Sequence, residues 1–239
     1  MTNECGTLYG IGAGPGDPDL VTVKALRILE SVSAIFAASS TKNDYSLAET
    51  IVKKHLGLRP VEKMPFPMTR DKEILRDRWE ANAKRVLQVL DKGGDAAFIT
   101  LGDPSTYSTF TYLMRSVKRL APHVRVVTVP GITSYHAAAA LSNTPLAEGE
   151  ETFHLISGAN GGKNLRRIIE SSENIVVLKT YKHFDDIVET LEELDLVDNS
   201  ILVSRIGLEG ETVVDDLRSI KGKKLPYLSL VIIKKRGKR

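Results

Sequence analysis

Short apolar runs alternate with longer amphipathic stretches through the first 142 residues, and this alternation constrains the fold more than any other feature. Residues 7–12, 34–38, 61–66, 95–101 and 124–129 are apolar or β-branched over strand-like lengths. Between them, residues 21–32, 47–56, 71–90, 106–120 and 133–142 carry apolar side chains at helical spacing. In the longest stretch Ile74, Leu75, Trp79, Ala83, Val86, Leu87 and Leu90 share one face, and Gly93-Gly94 is expected to close the helix. Strand followed by helix, repeated, predicts a mainly parallel sheet with helices on both faces. Residues 145–151 are polar and turn-like, and a boundary is expected there, giving domains 1–147 and 148–239. Beyond it, strands are expected at 152–157, 175–180, 201–205, 212–215 and 228–234, with helices at 164–170 and 184–194. The last strands are joined by few residues, which predicts antiparallel pairs and a mixed sheet.

Three strand-ending turns carry the chemistry. The first is Gly10-Ile11-Gly12-Ala13-Gly14-Pro15-Gly16-Asp17-Pro18, the second Leu101-Gly102-Asp103-Pro104-Ser105-Thr106-Tyr107-Ser108, and the third Pro130-Gly131-Ile132-Thr133-Ser134. Turns at the carboxyl ends of neighbouring parallel strands line a common crevice. Helix capping explains part of them: Asp17 and Asp103 suit N-caps, Pro18 and Pro104 suit first helical positions, and Thr22 is a second cap for the first helix. It leaves the surplus glycines of the first turn and the hydroxyls Ser105, Thr106, Ser108, Thr109 and Thr111 unexplained.

Several familiar loops are excluded. A dinucleotide fingerprint fails in both registers, ending on Pro15 or on Asp17, and Pro15 and Pro18 have no N–H to offer a phosphate. No Gly-Lys-Ser/Thr follows, so there is no P-loop, and no Gly-x-Ser-x-Gly nucleophile elbow occurs. The place where the common methyltransferase turn carries an acid is Gly10. One cysteine and five scattered histidines give no metal-ligand spacing, so no protein-bound metal is expected. The lone cysteine suits a reducing cytoplasm, and no signal peptide or membrane-spanning run is visible. Net charge is +3, with its basic excess in residues 221–224 and 234–239, read as a solvated loop and a solvated tail. Aromatics make up 6% of the chain and do not interleave with these charges, which argues against a nucleic-acid partner. A site with neither nucleophile nor metal is one that positions reactants.

Together the three turns resemble those of the tetrapyrrole methylases, which methylate uroporphyrinogen, precorrins, cobalt-factors and diphthine from S-adenosylmethionine. The likeness covers the whole chain, with the motifs in family order and spacing. Pro67-Met68-Thr69-Arg70-Asp71, the stretch from Leu101 to Phe110, and Pro145-Leu146-Ala147-Glu148-Gly149-Glu150-Glu151 are similar to the branch acting on C20 of precorrin-2 or cobalt-factor II. The resemblance implies two α/β domains with a cleft between them and a homodimer. It implies S-adenosylmethionine contacts at Pro15, Leu101, Gly102, Asp103, Thr106, Thr133, Ser134, Lys179 and Gly207. Many relatives carry methionine near position 179, where this chain has Leu178-Lys179-Thr180. Asp17 is the candidate base for the proton lost from C20. Arg70, Arg76 and Arg205, with Lys72 and Arg78, are candidates to meet the carboxylates of the macrocycle. Any cobalt would arrive with the substrate. The alternatives are another methylase of this family, acting on a different ring carbon or on diphthine, and a non-catalytic nucleotide- or nucleic-acid-binding protein.

Overall fold

A computed structural model describes residues 5–39 and 45–235. It divides into two compact units, Met1–Thr133 and Ser134–Arg239. The division falls just before the helix Ser134–Leu141, and the polar turn at residues 145–151 follows that helix.

The first unit contains strands β1 (Leu8–Gly12), β2 (Ala34–Ser39), β3 (Glu62–Pro65), β4 (Ala96–Thr100) and β5 (Val126–Val129). They form one sheet in the order β3-β2-β4-β1-β5, with every pair parallel. Helices α1 (Val23–Ser31), α2 (Leu47–Leu56), α3 (Lys72–Leu90) and α4 (Phe110–Leu120) complete it. Period-two alternation splits its core in two. On β4, Ala96 and Phe98 join Phe36, Val86, Leu90, Phe110 and Leu113 on one face; Ala97 and Ile99 join Ala25, Leu29, Ile35 and Ile51 on the other. All five β4 residues are buried, as expected of a strand covered on both faces.

Helix termini follow local chemistry. Thr22 Oγ1 accepts from the Ala25 N–H, Asp71 Oδ1 from Glu73 and Ile74, and Gly57 closes α2 with φ +58°. Gly93, at φ +81°, donates to Leu90 O as α3 ends. One expectation needs correcting. The helix expected from residue 106 begins at Phe110, because Asp103 does not cap it. Ser108 Oγ instead accepts from the Phe110 N–H at 3.1 Å and donates to Thr100 Oγ1 at 3.0 Å. The Phe110 ring then fills the space over Gly10, where an added Cβ would lie 2.2 Å from it.

The second unit begins with α5 (Ser134–Leu141), followed by β6 (Phe153–Ser157), α6 (Lys163–Ile168), β7 (Asn174–Leu178), α7 (Phe184–Glu193), β8 (Ser200–Ser204), β9 (Thr212–Val214) and β10 (Ser229–Lys234). The sheet order is β6-β7-β10-β8-β9. β6 and β7 are parallel, and β10 runs antiparallel to both β7 and β8, making the mixed sheet. Its core gathers Ile175, Val177, Val231 and Ile233 with Phe184, Ile187, Val188 and Leu191 of α7. The solvated-tail reading fails at Lys234, which lies buried in β10 with Nζ 3.3 Å from Glu151 Oε2. Lys235 donates to Ile169 O, and residues 236–239 of the basic tail lie outside the described residues. Lys221 pairs with Glu189 and Glu192. No helix among the described residues is long and apolar enough to cross a membrane.

Candidate functional site

Parallel order makes β1 the neighbour of both β4 and β5, so the three turns leave one sheet edge side by side. Glycine lets them touch. A Cβ on Gly12 would lie 2.5 Å from Gly131 Cα and 2.6 Å from Gly102 O. One on Gly131 would lie 2.2 Å from Gly102 O. Gly14 and Gly102 exchange backbone hydrogen bonds in an isolated antiparallel bridge, with N···O distances of 3.3 and 2.7 Å. Only residues without a side chain allow backbones this close.

Asp103 binds this junction together. Its Oδ1 accepts from Ser105 N–H at 2.8 Å, shaping its own turn, and its Oδ2 accepts from Gly131 N–H at 3.1 Å, reaching the third turn. The sequence reading of Asp103 as a helix cap missed this second partner, which lies 28 residues away. Beside it, Gly102 adopts φ +68°, and an added Cβ there would meet nothing closer than 4.0 Å. Gly102 is itself buried, yet a side chain would fit there at ordinary contact distance, so the glycine leaves a small cradle. Pro15 and Thr133 are buried, while Leu101, Asp103 and Thr106 are half-buried. These six expected cofactor positions thus belong to the three-turn junction or its flanks.

Asp17 is half-buried, and its Oδ1 accepts from Asp19 N–H at 2.9 Å, capping the short 3-10 turn Pro18–Leu20. The capping role expected of Asp17-Pro18 is present, and it fixes where the carboxylate points. Arg70, Lys72, Arg76 and Arg78 are exposed around the start of α3, with Arg76 Nε 3.5 Å from Asp77.

The second unit has its own set of special positions. Because β10 is antiparallel to both β7 and β8, those two strands end at the same sheet edge. Just beyond them, Lys179 adopts φ +61°, Arg205 +53° and Gly207 +68°. Left-handed backbone at two non-glycine residues is strained, and such strain gathers where ligands are held. Next to Lys179, Thr180 is fully buried, and its Oγ1 has no hydrogen-bond partner among the described residues. A lone β-branched hydroxyl after an apolar strand gave no sequence signal of this. Arg205 is exposed, and its Nε donates to Glu209 O. Gly207 N–H donates to Glu211 Oε2 at 2.6 Å. Ser134 is the first residue of α5.

The chain matches the family of Tetrapyrrole (Corrin/Porphyrin) Methylases over residues 7–220. It is 38% identical over 231 residues to a Methanocaldococcus jannaschii protein described as "Probable cobalt-precorrin-2 C(20)-methyltransferase", covering 95% of this chain and 96% of that one. It is 32% identical over 232 residues to the cobalt-precorrin-2 C(20)-methyltransferase of Salmonella typhimurium, covering 96% and 97%. Its fold is similar to that of uroporphyrin-III C-methyl transferase from Thermus thermophilus, a structure complexed with S-adenosylhomocysteine. The TM-score is 0.66 at 23% identity, covering 95% of this chain and 97% of that one.

Proposed function

This chain belongs to the tetrapyrrole methylase family, and we propose that it transfers a methyl group from S-adenosylmethionine to C20 of precorrin-2 or cobalt-factor II in cobalamin biosynthesis. The observation that carries the reading is the glycine junction at the ends of β1, β4 and β5. It is locked by Asp103, and Gly102 leaves room beside it for a group the size of a side chain. It stands in a chain similar, over nearly its whole length, to relatives named for C20 methylation.

S-adenosylmethionine supplies a methyl group on a positively charged sulfur. The residues present fit such a cofactor: Gly102 offers a small cradle, and Thr180 holds a buried hydroxyl with no partner among the described residues. In this reading the cofactor contacts are Pro15, Leu101, Gly102, Asp103, Thr106, Thr133, Ser134, Lys179 and Gly207. Holding a donor in line with its acceptor is the main catalytic task when the acceptor carbon is itself electron-rich. A bound donor would supply the methyl as its sulfur–methyl bond breaks, and C20 would then lose its proton. Asp17 is the proposed acceptor of that proton, its carboxylate held in place by the 3-10 turn it caps. Arg70, Arg76 and Arg205 are the proposed partners of the macrocycle's carboxylates. The reading carries with it a cytoplasmic homodimer and a reaction without a protein-held metal. The single cysteine and the lack of a membrane-length helix among the described residues accord with the cytoplasm.

The test is turnover. Purified protein with S-adenosylmethionine and cobalt-factor II or precorrin-2 is expected to yield S-adenosylhomocysteine and a product heavier by one methyl, placed at C20 by NMR. A methyl on another carbon would move the reading to a different branch. No turnover on either macrocycle would end it.

A further inference from the structure

At the opposite edge of the first sheet, where the strands begin, three chemically different donors converge. Cys5 precedes β1, Asp91 is the C-cap of α3 ahead of β4, and His123 lies in the loop ahead of β5. The thiol sulfur, a carboxylate oxygen and an imidazole nitrogen all lie within 4.8 Å of one another. Positions 5, 91 and 123 form no motif along the chain, which is why metal-ligand spacing is absent from the sequence.

The backbones carrying these donors are fixed to one another. Gly6 N–H donates to Leu90 O at 2.9 Å, joining the neighbours of Cys5 and Asp91. An added Cβ on Gly6 would lie 2.1 Å from Gly94 O, so the strand entry sits hard against the end of α3. The loop around His123 is clamped by Lys118, whose Nζ donates to Pro122 O at 3.1 Å and Val124 O at 2.6 Å. Among the described residues, no hydrogen bond or ion pair occupies the side chains of Cys5, Asp91 or His123. The end of α3 adds a favourable field, because a helix C-terminus is negative and the last turn of α3 holds no basic residue.

We propose that Cys5, Asp91 and His123 form a binding site for a borderline-soft divalent metal ion of the zinc type, with a fourth position open to water. Thiolate, imidazole and carboxylate are the donors zinc takes, at about 2.0–2.3 Å, so bound ligand atoms stand roughly 3.5 Å apart. The side chains reach that spacing by moving about 1 Å or less. Binding forms a metal–sulfur bond at Cys5 and releases the thiol proton to solvent. The ion would tie the entry of β1 to the end of α3 and the loop before β5. It would lie away from the glycine turns and take no part in methyl transfer.

The chain has a single cysteine, so a thiol reagent reports on this site alone. Untagged full-length protein, stripped with chelator, is labelled with a disulfide reagent with and without Zn²⁺ (as chloride). The expected result is labelling slowed about tenfold or more at about one equivalent of Zn²⁺. With Co²⁺ as a spectroscopic probe, a thiolate-to-metal charge-transfer band is expected in the near ultraviolet. It disappears in Cys5→Ser and falls in His123→Ala and Asp91→Asn. Both of the latter positions are exposed, so these variants keep the fold if Cys5→Ser loses it. Equal labelling rates with and without Zn²⁺ would overturn the proposal. So would a cobalt band undiminished in His123→Ala and Asp91→Asn, which would mark metal held by the thiol alone.

Discussion

Gly131→Ala adds one methyl group where three backbones meet. The new Cβ would sit 2.2 Å from Gly102 O and 2.7 Å from Gly12 Cα. Both obstacles are backbone, so no side chain can swing aside. Ordinary carbon–oxygen contact begins near 3.4 Å, so the turns must part by about 1 Å. Overpacking of this kind costs roughly 1–3 kcal/mol. At about 2–4 °C per kcal/mol for a chain of this size, the melting temperature falls by roughly 2–12 °C. Gly131 has an ordinary negative φ, so the effect is steric alone. The same displacement pulls Gly131 N–H from Asp103 Oδ2 and disturbs the cradle at Gly102. Affinity for S-adenosylhomocysteine by calorimetry is therefore expected to fall at least about tenfold, or ~1.4 kcal/mol. Gly222→Ala is the control: its φ is +78°, but nothing lies within 4 Å of an added Cβ. It should lose about 1 kcal/mol from backbone strain and leave ligand affinity unchanged. Wild-type melting temperature and affinity in Gly131→Ala would refute the close approach of the turns.

Asp17→Asn keeps an oxygen to cap the 3-10 turn but cannot accept a proton. Stability should change by under about 0.5 kcal/mol while kcat falls about 10²-fold or more, and full turnover by the variant would remove Asp17 from the chemistry. Thr180→Val replaces a buried, unpartnered hydroxyl with a methyl of similar shape. The free chain should gain about 1 kcal/mol in stability while S-adenosylhomocysteine binds more weakly, and a lower melting temperature would show that the hydroxyl is already satisfied. Hydrogen bonds from Asn174 and the Glu148 backbone, then Lys234, hold Glu151 below the usual carboxylate range. A depressed folded-state pKa stabilises above the unfolded value and fades as pH falls through the folded one. Glu151→Gln should therefore lower the melting temperature at pH 7 and converge with wild type in acid, and a gap independent of pH would contradict the assignment.

Much of this protein was legible from its sequence because the signals are local. Short apolar runs marked the strands and helical spacing marked the helices, since both reflect which side of one element is buried. Leu47–Leu56 was read to the residue because its stop, Gly57, is adjacent. Asp17 and Thr22 were legible as caps because a cap bonds within three residues of itself. What the sequence by itself determined is therefore a parallel α/β unit, a mixed-sheet unit, and three turns at strand ends. Tertiary structure decided what those turns do. Asp103 has a partner at the end of a different strand, so its role depends on β4 and β5 flanking β1. α4 begins at Phe110, whose N–H meets Ser108 rather than Asp103 and whose ring occupies the empty face of Gly10, on another strand. Lys179, Arg205 and the unpartnered hydroxyl of Thr180 take their character from β10 running between β7 and β8. Cys5, Asp91 and His123 meet only because parallel strands begin at one edge and end at the other. Periodicity reports burial along one element, while a site is made by contacts between elements, and those exist only once the chain has folded.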